Sequence, residues 1–142
     1  MVSIITPVIE VNNLWSSYNG IYALNGITLT IPSATIMAVV GPNGAGKSTL
    51  FKCLVGLLKP LSGTIEIMGV DVVEHPRHAY NKIGYLPERA GIYDSLTVEQ
   101  SLWYAGSIHS IREEELRISI DKLSSSFKMH DRLQQKTETL SK

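Results

Sequence analysis

The sequence predicts an α/β fold: a phosphate-loop core, with an antiparallel β-subdomain ahead of it and the start of a helical subdomain behind it. Three observations carry this expectation. Gly41 to Thr49 matches the phosphate-cradling pattern GxxxxGK[ST] at every fixed position, namely Gly41, Gly46, Lys47 and Ser48. Thr35 to Val40, just before it, is apolar and partly β-branched, as a strand buried on both faces would be. Leu50 to Leu58, just after it, is apolar nearly all round and stops at Lys59-Pro60, as a helix packed on a sheet would.

From the N-terminus, Val8 to Tyr18 carries apolar residues at partly alternating positions, the pattern of a strand near a sheet edge. Asn19-Gly20 marks a turn, and Ile21 to Ile31 forms a second strand with Leu24, Ile27, Leu29 and Ile31 as its buried set. Pro32-Ser33 ends that strand before the one feeding the phosphate loop, so a hairpin leads into a parallel core. After the first helix, Leu61-Ser62-Gly63 is a turn, and Thr64 to Met68 alternates as a half-buried strand that Gly69 ends. His75 and His78 stand three apart, but Pro76 lies between them and no acidic or cysteine cluster is near. That stretch is therefore expected to be a solvated loop or short helix rather than a metal site. Ile83 to Leu86 is a short strand stopped by Pro87.

The remainder is expected to be helical. Thr97 with Gln100 forms a capping box, opening a helix that turns Leu102, Trp103 and Ala105 inward. Ser110 with Glu113 forms a second box, opening a longer helix with Leu116, Ile120, Leu123 and Phe127 on its inner face. Glu113 and Arg117 are spaced for a pair on the solvated side.

At 142 residues the chain has room for one sizeable core, or a piece of one. Its 13 basic and 13 acidic side chains cancel and form no block, which argues against nucleic acid or an anionic lipid surface as partner. Cys53 is the only cysteine, so no disulfide within the chain is possible, and its place on an apolar helix suits a small core residue. No stretch approaches the roughly 20 apolar residues of a membrane span, and the N-terminus lacks a basic, then apolar, leader, so a cytosolic chain is expected.

The loop's chemistry follows from what a polyphosphate needs: many N–H donors close together, a cation, and an unobstructed approach. Gly41, Gly44 and Gly46 are expected to supply backbone conformations that a Cβ would forbid, so that the amides between Gly41 and Thr49, including those of Asn43 and Ala45, turn inward as a nest. Pro42, within the same stretch, is counted with it as a cofactor-binding residue. A helix starting at Gly46 adds its unpaired N–H groups and positive dipole end. Lys47 reaches the β and γ phosphates, and the Ser48 hydroxyl is offered to Mg²⁺.

The wording Gly-Pro-Asn-Gly-Ala-Gly-Lys-Ser-Thr-Leu resembles the Walker A motif of the ATP-binding cassette (ABC) family, narrower than the general pattern. Two further features join it. Tyr18 falls where that family places an aromatic that stacks on adenine, and Ile-Gly-Tyr-Leu-Pro-Glu at 83–88 resembles the approach to its Q-loop, with Glu88 where glutamine is usual. The resemblance implies an incomplete P-loop NTPase core, with residues 1–88 as β-subdomain and core and 89–142 as the start of the helical subdomain. It ends at Leu140-Ser141, the first two residues of the family signature.

It further implies ATP and Mg²⁺ as ligands, with Glu88 as a second metal-side oxygen, and a transmembrane permease subunit contacting the stretch Glu88 to Leu96. A second nucleotide-binding domain as dimer partner and a cytoplasmic location peripheral to the membrane complete the picture. The Tyr-Leu-Pro-Glu wording, followed by Leu96-Thr97-Val98, is similar to ATP-binding subunits of multidrug-type exporters. The family's Walker B aspartate and catalytic glutamate have no counterpart in these 142 residues, so no general base is assigned and the chain is expected to bind ATP without hydrolysing it alone. The alternatives are a soluble, non-transport ATPase of the same family and a non-catalytic nucleotide- or partner-binding module.

Overall fold

Asn19 and Gly20 both take left-handed backbone, at φ 49° and 80°, which is what a two-residue hairpin turn matched to strand twist requires. They join β1 (Pro7–Tyr18) to β2 (Ile21–Pro32), with Tyr18 directly opposite Ile21. The computed structural model describes residues 7–88, 91 and 93–140. It divides into two units, Met1–Leu86 and Pro87–Lys142.

In the first unit β1 also pairs with β3 (Ser62–Ile67), which pairs in turn with the short β4 (Val70–Asp71), giving the order β2-β1-β3-β4 with every neighbour antiparallel. The hairpin and the antiparallel continuation are thus as expected. Val11 and Leu14 from β1, Leu24 from β2, and Ile65 and Ile67 from β3 meet Leu50, Cys53 and Leu54 from α1 (Lys47–Leu54) in one core. Ile27 and Leu29 pack at its margin. Cys53 is buried there, and that burial pushes its thiol up despite a Ser16 contact that pulls the other way, so it is a core residue and a poor nucleophile.

Three expectations for this unit need correction. Residues 35–40 form no strand: the segment is irregular, and Ile36, Met37, Val39 and Val40 are exposed. An apolar sequence supplies strand propensity, but a strand exists only through hydrogen bonds to a neighbour, and no described strand lies beside this one. The parallel core is therefore not built within these residues. The helix after the loop stops at Leu54, four residues before the apolar run does. Gly56 takes φ 66° there, against Val72 and Tyr80, and Phe51 and Leu57 are exposed. Residues 83–87 are likewise irregular, with only Ile83 packed against the core. His75 and His78 lie at α2 (Pro76–Tyr80), their rings 6.0 Å apart edge to face, and among the described residues no group of three His, Cys, Asp or Glu side chains could hold a metal.

Unpaired backbone has a measurable signature. Amides 35–40 should exchange with solvent at close to unprotected rates, while those of Val11, Leu14 and Ile65 are held by the sheet. Strong protection at 35–40 would mean that the segment finds a pairing partner in solution, within one molecule or between two copies.

In the second unit α3 (Val98–Ile108) opens on the expected box: the Gln100 N–H donates to Thr97 Oγ1 at 3.1 Å and the Thr97 N–H to Gln100 Oε1 at 2.9 Å. The other box does not form. Ser110 takes φ 56° and closes the turn after α3, its N–H donating to the Ser107 carbonyl, so α4 (Glu113–Ser126) begins three residues later behind Arg112. Glu113, Glu114 and Glu115 then stand in its first turn, where the dipole favours them, and Arg112 pairs with Glu115 in place of Glu113 with Arg117.

The inner faces also differ. Gly106 rather than Ala105 is buried, because a Cβ there would collide with Leu116, and this glycine lets α3 and α4 approach. On α4 the buried residues are Leu116, Ile120 and Ser124, a four-residue repeat, while Leu123 and Phe127 face solvent. Residues 133–138 return to the head of α3: Val98 and Glu99 donate their N–H groups to the Gln135 and Leu133 carbonyls, and Thr137 donates backward to the Leu96 and Tyr93 carbonyls. No described helix is long and apolar enough to cross a membrane.

Candidate functional site

The phosphate loop is built at the junction of the hairpin and α1. Gly46 caps the helix in left-handed conformation, φ 85° and ψ 1°, and the first helical bond runs from the Leu50 N–H to the Gly46 carbonyl at 2.8 Å. The N–H groups of Gly46, Lys47, Ser48 and Thr49 therefore have no acceptor inside the helix, and no acidic side chain stands in its first turn to oppose an anion.

Of the three glycines, Gly44 (φ 82°) and Gly46 use left-handed backbone. Gly41 does not; its position is shaped by contact instead, since a Cβ there would sit 3.4 Å from the Ala45 Cβ. Between them Pro42, Asn43 and Gly44 make a tight turn, closed by the Ala45 N–H donating to the Pro42 carbonyl at 3.3 Å.

Lys47 folds its ammonium back across the loop, donating to the Gly41 carbonyl at 2.7 Å and the Pro42 carbonyl at 2.6 Å. A cation and a set of helix-head N–H groups thus stand together at one helix end, an arrangement that suits a polyphosphate. Ser48, the second helical residue, is exposed. Thr49 differs, for it is buried against the core, so what it offers a ligand is its backbone N–H rather than its side chain.

One close approach was not visible in the sequence. A Cβ on Gly46 would collide with the Ala23 carbonyl oxygen and come within 3.1 Å of Leu24 Cδ2, so the helix head rests directly on β2. No local pattern announces a contact between residues so far apart, although a glycine at a helix cap is the place to look for one. The contact seats the helix head against β2 near the turn end of the hairpin, where Tyr18 ends β1 with 45% of its surface exposed. Glu88 is exposed at the start of the second unit, and Ser141, the second residue of the expected signature, lies outside the described residues.

The left-handed glycine cap and the lysine folded back over the turn carbonyls at a helix head have the geometry of a phosphate loop. The family pattern "ABC transporter" matches residues 24–142, and the chain belongs to that family. It is 33% identical over 120 residues to the "Probable multidrug ABC transporter ATP-binding protein YbhF" of Escherichia coli (strain K12), which spans 84% of this chain and 21% of that protein. It is 32% identical over 121 residues to the "ABC transporter ATP-binding protein NatA" of Bacillus subtilis (strain 168), covering 84% and 49% of the two chains.

Among solved structures, the "ATP binding subunit of ABC transporter" superposes with a TM-score of 0.82 at 30% identity, over 95% of this chain and 56% of that one. CbiO1 from Clostridium perfringens, described as part of the transporter complex cbiONQ, gives 0.81 at 26% identity, again over 95% and 56%. The α/β phosphate-loop class is therefore that of these ATPase subunits, and the chain spans half or less of the length of the curated relatives named here.

Proposed function

We propose that the protein is the ATP-binding subunit of an exporter, taking MgATP on the loop Gly41 to Thr49 and working with a transmembrane permease partner. The observation that carries this is the Lys47 ammonium held over the Gly41 and Pro42 carbonyls at a helix head free of acidic side chains. Export is supported by the names of the relatives, a "multidrug" protein and, at 35% identity over 123 residues, the "Daunorubicin resistance ATP-binding protein DrrA3" of Streptomyces coeruleorubidus.

In this reading the backbone N–H groups and Lys47 bind the phosphates, and Tyr18 stacks on the base. Ser48 gives one oxygen to Mg²⁺, a donor set that suits the ion because it keeps most of its waters and takes further oxygens from the phosphates. When bound, Mg²⁺ would supply neutralisation of phosphate charge, with the Ser48 hydroxyl as a protein oxygen to hold it. A paired second domain, a permease contact along Glu88 to Leu96 and a place at the cytoplasmic membrane face complete this reading.

The test separates base from phosphate. Tyr18→Ala should weaken MgATP by about 0.5 to 1.5 kcal/mol, the range for one aromatic stack, and leave inorganic triphosphate unchanged by calorimetry. Equal weakening of both ligands would make Tyr18 a structural residue, and no binding of either would end the proposal.

A further inference from the structure

We propose that residues 133–138 are a strap that opens and closes separately from the helices it joins, and that its closure holds Tyr93 in the wall of a cavity on α3. This linkage does not depend on the function proposed above. Six hydrogen bonds among the described residues tie the strap to residues 93–99. Four run between backbones: the Val98 and Glu99 N–H groups donate to the Gln135 and Leu133 carbonyls, and those of Thr137 and Glu138 to the Leu96 and Asp94 carbonyls. Two come from side chains. The Thr137 hydroxyl donates to the Tyr93 carbonyl at 2.9 Å, and Gln134 Nε2 to Glu99 Oε2 at 2.6 Å.

What this contact lacks is a core. No residue of 133–138 or of 93–99 is buried, whereas α3 and α4 bury Gly106, Leu116, Ile120 and Ser124 between them. Hydrogen bonds exposed to water are individually weak, because water replaces each of them on opening. A segment held by such bonds alone belongs to the least stable part of a fold and opens before the packed helices do.

Tyr93 is where the strap meets the cavity. Its carbonyl accepts from the Thr137 hydroxyl, while its ring meets the Tyr104 ring edge to face with centroids 5.4 Å apart. Both tyrosines line a cavity of about 260 Å³, together with Ser101, Ala105 and Ile108 of α3. Coupling between two such events acts in both directions, so a shut strap steadies the wall, and a change at the wall acts back on the strap. A ligand or partner that fits the cavity as it stands tightens the strap, and one that pushes Tyr93 aside releases it.

The experiment is native-state amide exchange on the intact chain, with Val98, Glu99 and Thr137 reporting on the strap and Ile120 on the packed helices. The strap amides should exchange alike, and at least about tenfold faster than Ile120. Thr137→Val should speed them by about two- to tenfold, as the loss of one hydrogen bond implies, and leave Ile120 unchanged. Thr137→Ser, which keeps the hydroxyl, should exchange as the original does. Tyr104→Ala decides the linkage, because none of the six bonds involves Tyr104. It should speed the same amides by a similar factor, and Tyr104→Phe, which keeps the ring, should not. Strap amides no faster than Ile120, or substitutions that speed Ile120 equally, would show that the strap has no opening of its own. Unchanged strap amides in Tyr104→Ala would sever it from the cavity. Either result overturns the proposal.

Discussion

Lys47→Ala is expected to lower the affinity for MgATP by roughly thirty- to a hundredfold, the largest loss of any single change in the loop. A hydrogen bond to a charged group contributes about 1.5 to 3 kcal/mol, and the ammonium is the only full positive charge that the loop Gly41 to Thr49 places at the helix head. Its present acceptors, the Gly41 and Pro42 carbonyls, are neutral and exposed, so exchanging them for phosphate oxygens costs little. The same exposure means that the fold should survive the substitution. Calorimetry on the folded variant checks this, and an affinity equal to that of the original would remove the phosphate assignment altogether.

Gly46→Ala should be the most damaging change to the fold near the site. Left-handed backbone costs a non-glycine residue about 1 to 2 kcal/mol on its own. Here the new Cβ also meets the carbonyl oxygen of Ala23, which belongs to a paired strand and cannot rotate away as a side chain would. A total loss of about 2 to 4 kcal/mol follows, read as a lower urea midpoint with an unchanged slope. Gly44→Ala supplies the control. It has nearly the same φ but nothing within 4 Å of its Cβ, so it should cost only the backbone term. Equal losses at 44 and 46 would show that the helix head does not rest on β2.

What the sequence made legible was chemistry encoded in neighbouring residues. Asn19-Gly20 announced its turn, Thr97 and Gln100 announced their reciprocal bonds, and the loop announced itself in nine residues, because each is a local solution to a local problem. What depended on distant partners was misjudged. Residues 35–40 have strand composition and no strand, since pairing is decided by the neighbour. Ser110 and Glu113 match a capping box in spacing, but Ser110 is already committed to closing the helix before it. The inner face of α4 runs through Ser124 rather than Leu123 and Phe127. A four-residue repeat carries the packed face along one side, and a buried serine is acceptable where its hydroxyl donates to the Asp121 carbonyl at 2.9 Å. Within the candidate site, the left-handed conformations of Gly44 and Gly46 followed from their residue type, whereas the seat of Gly46 on β2 came from tertiary approach alone.

The return of residues 133–138 onto the head of α3 has a kinetic meaning. Thr97 and Lys136, which form its bridge, are roughly forty residues apart, and closing a loop of that length costs chain entropy before any bond repays it. Helices α3 and α4 need only local contacts to begin, so the clasp is expected to close after them, and slower protection of the Val98 amide than of the α4 amides during refolding would show it. The first-turn amides of Val98 and Glu99 have acceptors only while it is shut. A protease that trims the last ten residues would therefore act at a distance, fraying a helix that starts far upstream of the cut.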